Sequence, residues 1–298
     1  MAIVGKSILG NDLDNSFTQN PFKHQIILFF VNAEAKRRYR RNPNERYTIW
    51  YGRVQAYWDK ILNAIAIWTD GIGRFPDSYR LYRHRGHRYL SLHRLEEGYA
   101  DFKKSAALFE KYGTDDEMEE DGIPRRLPIP PERTGFNIYY HLALAAYLCD
   151  DLDAALAANT KCFDYCVNDE DLVANSDWGY LILRRLGRKE DADALIAKVP
   201  NDLKIADNIG YYKRILFYKG LSSYEDMQII DSKKADAYHR PMVKISQLYG
   251  VAAYYIAEGD KEKARAILED CLAENKHFGA FAHLASEHDL KALNEGRL

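Results

Sequence analysis

The chain has 298 residues, 47% hydrophobic and 29% charged, which excludes wholesale disorder and allows a sizeable core. Its formal net charge of −2 argues against a dedicated nucleic-acid binder or a polybasic membrane anchor, so any anion site must be local. Four cysteines, Cys149, Cys162, Cys166 and Cys271, are too few for a disulfide scaffold and lack paired zinc spacing. Cys162 and Cys166 are expected as two buried thiols on one helix face. No apolar run is long enough for a membrane span, and the expected compartment is the cytoplasm.

Residues 1–20 mix Gly, Asn, Asp and Ser without a period and are expected to form a poorly ordered lead-in. A helix is expected over 21–44, with Phe22, Ile26, Phe29, Phe30 and Ala33 forming its apolar face. That face is expected to cover the exposed end of the helices C-terminal to it. Its basic tail, Lys36 to Arg41, suits a helix C-terminus and solvent.

From Glu45 the sequence repeats. Gly52 and Gly86, Ile61 and Leu95, Ala64 and Gly98, and Trp68 and Phe102 are each 34 residues apart. Small residues recurring opposite large ones are what two closely crossing helices require. The pattern resembles the tetratricopeptide repeat, with units starting near Glu45, Tyr79, Phe136, Val173, Ala206 and Ile245. The resemblance implies an all-α, right-handed α-α superhelix, a solenoid of about six helix pairs over 45–275, capped by helices at 21–44 and 276–298. Gly187, Gly220 and Gly259 fall where the turn within a unit wants a left-handed residue. The fifth unit is degenerate, with Glu225 where a small residue is expected. Between the second and third units lies an acidic, Pro-rich insertion at 113–135, carrying Asp115 to Asp121 and then Pro124, Pro128, Pro130 and Pro131.

The resemblance also implies that the first helix of each unit lines a concave groove. On that register the groove side chains are Arg46, Trp50, Arg53 and Tyr57, then Arg80, Arg83, His84 and His87. Further along they are Asn137, Tyr140, His141 and Tyr147, and then Asp177, Trp178 and Arg184. Spacing alone puts Arg80, Arg83, His84 and His87 on one helical face. The row Trp50, His84, His141 and Trp178 is expected to cross successive helices about 8–10 Å apart if the insertion leaves the stacking intact. Gly86 is expected to pack, Tyr89 to enter the core, and Arg85 and Arg88 to point away from the groove.

Such a groove is cationic at its centre and aromatic at its flanks, suited to carboxylate or phosphate. The family resemblance implies a scaffold or adaptor that holds an acidic or carboxylate-bearing protein segment. Arg, His and Tyr replace the Lys and Asn of the best-known carboxylate clamp, so no particular partner carries over. The structural alternative pairs each Arg with a neighbouring carboxylate. The chemical alternative is an enzyme or sensor for a small anionic molecule, using His84, His87, His141, Tyr140 and Asp177 as acid–base groups. His84 and His87 are spaced for a metal, yet the surrounding arginines repel a cation, and no metal or cofactor is expected. His283, Glu287 and His288 are expected at exposed polar positions. Nucleic acid is not expected as a partner, because no base-reading pair recurs at fixed positions.

Overall fold

The computed structural model describes residues 3–14, 22–119, 132–230, 240–274 and 278–298. The chain divides into two compact units, residues 1–114 and 115–298. It is built almost wholly of helices, and among the described residues the only strands are a short N-terminal pair. No described helix is long and apolar enough to cross a membrane.

The N-terminal unit holds that pair and five helices, α1 (Phe22–Arg41), α2 (Glu45–Tyr57), α3 (Ile61–Arg74), α4 (Tyr79–Ser91) and α5 (Leu95–Tyr112). Strands β1 (Ile3–Lys6) and β2 (Asp12–Asp14) pair antiparallel, with Gly5 opposite Leu13. The lead-in expected to be unstructured is therefore partly a hairpin. Gly10 supplies the left-handed turn, Leu13 is buried, and the Ile8 amide donates to His93 Nδ1 at 3.3 Å. Residues 15–20 lie outside the described residues.

Asn44 caps α2 and Ser78 caps α4, each accepting a backbone N–H from the first turn. Helices α2 and α3 pack as one hairpin, α4 and α5 as another. The two glycines are what let them close. A Cβ on Gly52 would lie 2.2 Å from the Trp68 indole nitrogen, and one on Gly86 would meet Asp101, Phe102 and the Gly98 carbonyl at 3.0–3.2 Å. Trp68, Ile49, Ala64 and Leu81 form the core that results. The turns within these hairpins use Asp59 and His93 at positive φ, residues that tolerate the left-handed region when glycine is absent.

Helix α1 buries a different face from the one its period predicts. Leu28 and Ala35 are enclosed, while Ile27, Phe29 and Phe30 are 50–67% exposed and Ala33 is exposed. Polar and aromatic contacts set this rotation: Gln55 donates to Asn32 at 2.5 Å, and Tyr39 stacks on Tyr51 at 5.2 Å. The side chains of Phe22 and Ile26 lie outside the described residues.

The C-terminal unit holds α6 (Thr134–Leu148), α7 (Leu152–Cys162), α8 (Asp169–Arg185), α9 (Lys189–Ala197), α10 (Ile209–Tyr218), α11 (Tyr224–Gln228), α12 (Arg240–Ala257), α13 (Lys261–Glu274) and α14 (Phe281–Asn294). Adjacent pairing continues through α6 with α7, α8 with α9 and α12 with α13. Gly187, Gly220 and Gly259 take positive φ as expected, and Asp150 does so at the α6–α7 turn. In the degenerate unit the second helix shrinks to α11, held by a reciprocal cap between Ser223 and Asp226.

The insertion closes at its base, where Met118 bridges Arg133 and the Glu119 amide donates to the Glu132 carbonyl at 2.9 Å. Its residues 120–131, including all four prolines, lie outside the described residues. Cys162 is buried in α7, and Cys166 follows a 3-10 turn after it, so the thiols do not share one helix; Cys166 is only half-buried, and both are free. His283, Glu287 and His288 correct another expectation. All three are buried, because α14 packs on α12 and α13 and also meets α6.

Two glycines test the packing argument. Gly52→Ala forces a methyl onto an indole that is 1% exposed and is expected to cost about 1–3 kcal/mol. Gly73→Ala, where the added methyl meets nothing, is expected to stabilise α3 by about 0.5–1 kcal/mol. Urea unfolding of the two variants reads the contrast, and equal effects would refute it.

Candidate functional site

The N-terminal unit presents a cationic face built from α2 and α4. Because Gly86 must face α5, the other side of α4 carries Arg80, Arg83, His84, His87 and Arg88. Arg85 leaves this face as expected. Its Nε and Nη2 donate to both carboxylate oxygens of Asp101 at 2.7 and 2.8 Å, and Nη1 reaches Thr69. Tyr89 is half-buried rather than a core residue, with the Arg94 guanidinium 4.4 Å from its ring.

Arg88, expected to point away from the groove register, is coupled in charge to two residues of that register, Tyr57 at the end of α2 and Arg83, and to Asp59 in the turn after α2. Burial, with the adjacent Arg83 charge, pulls its guanidinium down to about 10. Arg88 donates to His87 Nδ1, and Arg83 donates to His84 Nδ1 at 2.9 Å. A guanidinium can only donate, so both imidazoles accept at Nδ1. Among the described residues no carboxylate lies within ion-pair distance of Arg88.

The rest of the face frames these groups. His84 is buried and stacks on Trp68 at 5.5 Å. Arg80 lies 3.8 Å from Glu45, which also accepts from Ser78. Arg53 lies against the rings of Trp50 and Tyr57 and donates to the Tyr57 hydroxyl at 3.0 Å, while Arg46 is exposed. The result is a half-buried platform of guanidinium and aromatic groups.

The C-terminal unit treats its predicted residues differently. Asp177 has no exposure and faces Arg214 at 2.8 Å, itself fully enclosed. The ion pair is close but its N–H is not aligned for a hydrogen bond. Burial pushes the Asp177 carboxyl above the ordinary carboxylate range. Burial alone would lower Arg214, and the Asp177 charge together with Tyr218 and Tyr211 outweighs it to hold the guanidinium above its usual value. Arg214 also donates to the Tyr218 hydroxyl at 3.1 Å and the Ser246 carbonyl at 3.1 Å, with Trp178, Tyr211 and Tyr249 against its faces. A Cβ on Gly250 would lie 2.2 Å from Arg214 Nε, so α12 needs glycine there to approach the cation.

Tyr140 joins this cluster and is buried, its hydroxyl pushed well above the ordinary value by burial and by Tyr211. His141 does not join it. Its Nδ1 donates to the Asn137 carbonyl at 2.6 Å, and its ring meets Tyr140 and Phe281. The Asn137 amide is tied to Glu132 at the insertion's base. Trp178 is 1% exposed and lines no open surface.

Arg184 donates to Tyr180 and Glu258 at 2.8 and 2.6 Å. Arg185, which the groove register includes beside Arg184 but which is not among the side chains named from it, gives its Nη2 to Tyr147 at 2.8 Å and to Asp289 at 2.6 Å. Both arginines line a cavity of about 180 Å³. Arg214, Tyr211 and Tyr218 were missed because the register was not carried into the degenerate fifth unit. Continued from Ala206, that same register assigns all three to inner positions.

The chain matches no known family's model, and no curated protein is similar to it.

The buried pair gives a stability test. Asp177→Asn strands the Arg214 charge and is expected to destabilise the C-terminal unit by about 3–5 kcal/mol. Asp177→Leu combined with Arg214→Met is expected to recover most of that loss, since desolvation nearly cancels the pair's attraction. Chemical denaturation checks both, and a double variant as unstable as the single one counts against the account.

Proposed function

We propose that the chain is a tetratricopeptide-like binding scaffold whose α2–α4 face holds an acidic segment of a partner protein. The observation that carries this reading is Arg88: a half-buried residue whose guanidinium is itself buried and lowered by that burial, with no carboxylate in ion-pair range among the described residues. Burying a cation without a counter-charge is costly, and an arriving carboxylate relieves that cost. Arg83 on the same face adds charge, and Trp50 and Tyr57 add flat surface for a peptide backbone.

Small-molecule acid–base chemistry in the C-terminal unit has less support. Tyr140 and Asp177 are sealed from solvent, and Asp177 is committed to Arg214.

A short fluorescein-labelled poly-glutamate peptide serves as the probe, read by anisotropy. Arg88→Met is expected to weaken binding about tenfold, the loss of one charge-assisted contact. Added salt is expected to weaken the wild type further. Equal affinity for wild type and Arg88→Met would overturn the proposal, provided both give the same helical circular dichroism.

A further inference from the structure

We infer that the C-terminal unit carries a second site, distinct from the α2–α4 face: its cavity between α6, α8 and α12 takes a small carboxylate with a short aliphatic chain. Its polar lining is Tyr147, Arg184 and Arg185, and its aliphatic lining is Leu181, one turn before the two arginines on α8, with Ala253, Ile256 and Ala257 from α12 and Leu298. The volume of about 180 Å³ suits roughly six to nine non-hydrogen atoms, since a cavity of about 150 Å³ admits benzene.

The donors left over favour an anion. Arg185 commits only Nη2, to Tyr147 and Asp289, and among the described residues its Nε and Nη1 make no hydrogen bond. Arg184 commits Nη1 and Nη2 to Tyr180 and Glu258 and retains Nε. The partner carboxylates, Glu258 and Asp289, do not line the cavity, so its wall carries two guanidiniums and no acidic side chain. Asp289 and Tyr147 hold Arg185 in place before any ligand arrives, which lowers the ordering cost of binding.

The aliphatic side selects among anions. Inorganic phosphate would leave polar oxygens against Leu181, Ala253 and Ile256 without hydrogen-bond donors. A neutral amide of the same shape would fill the space and leave the free guanidinium donors poorly matched. A branched short-chain acid such as isovalerate satisfies both the guanidinium donors and the aliphatic side chains.

The test is a methyl NMR titration of the full chain, labelled at Ala, Ile and Leu. Isovalerate at millimolar concentration is expected to give saturable shifts at the Ala253 and Ile256 methyls. Isovaleramide and inorganic phosphate at the same concentration are expected to give none. Ala253→Leu fills the cavity and is expected to abolish the response. Arg184→Gln, whose partner Glu258 is 38% exposed and can turn to water, is expected to weaken it about tenfold. If Ala253→Leu loses its native circular dichroism, Arg184→Gln decides. Absence of saturation by isovalerate overturns the inference. So does an equal response to the amide, which would mark an apolar hole only, or to phosphate, which would mark a bare anion site. Unchanged binding in Arg184→Gln overturns it as well.

Discussion

The close crossing of paired helices at a glycine governs what the N-terminal unit can display. Gly52 under Trp68 and Gly86 under Phe102 are equivalent contacts in successive hairpins; the first leaves no room for a methyl group, and the second admits one only if Asp101 and Phe102 give by a few tenths of an ångström. Once Gly86 is turned to α5, the rotation of α4 has no freedom left. Leu81 enters the core on one flank, Arg85 reaches Asp101 behind it, and the remaining arginines and both histidines of α4 must face the other way. The cationic face is therefore a consequence of packing rather than a separate feature laid on the surface.

In the C-terminal unit a buried cation takes the central place. Arg214 has no exposure, and the surrounding helices are arranged around satisfying it: Asp177 from α8, Tyr218 from its own helix, the Ser246 carbonyl from α12, and aromatic faces from three sides. Tyr249 links this cluster to a second one, since its hydroxyl reaches both Tyr147 and Asp289, the partners of Arg185. The abundance of tyrosine has a physical reason here. Each ring packs as an apolar body while its hydroxyl occupies a guanidinium or carboxylate that would otherwise be stranded.

The helical architecture was legible because it rests on small and large residues at fixed separation, and period alone reveals that. The left-handed turns at Gly187, Gly220 and Gly259 were legible for the same reason. Which arginines are neutralised within the fold was not legible, because the answer depends on carboxylates distant in sequence. Arg185 is neutralised by Asp289, 104 residues away, and Arg184 by Glu258, 74 residues away. The side taken by Arg88 was not legible either, because its step from His84 places it at the edge of the helical stripe, where spacing does not choose a side; its charge couples to Tyr57 and Arg83. The exposed Phe29 and Phe30 failed differently. Apolar period identified a face, and Tyr39 and Asn32 decided the rotation through partners on α2.

Arginine content is therefore a poor guide to anion binding in this chain, and commitment of each guanidinium is a better one. Arg85, Arg94 and Arg214 hold carboxylates and serve the fold. Arg184 and Arg185 are intermediate cases, fixed by an acid on one side while donors remain on the other. Arg88 stands at the far end: among the described residues its hydrogen-bond acceptor is the Nδ1 of the neighbouring His87, with Tyr57 and Asp59 acting on it through charge. Among the described residues, carboxylates stand beside Arg85, Arg184, Arg185 and Arg214, and none stands within ion-pair range of Arg88. Asp59 acts on Arg88 through charge without a hydrogen bond, so among the described residues no carboxylate competes for the guanidinium in contact.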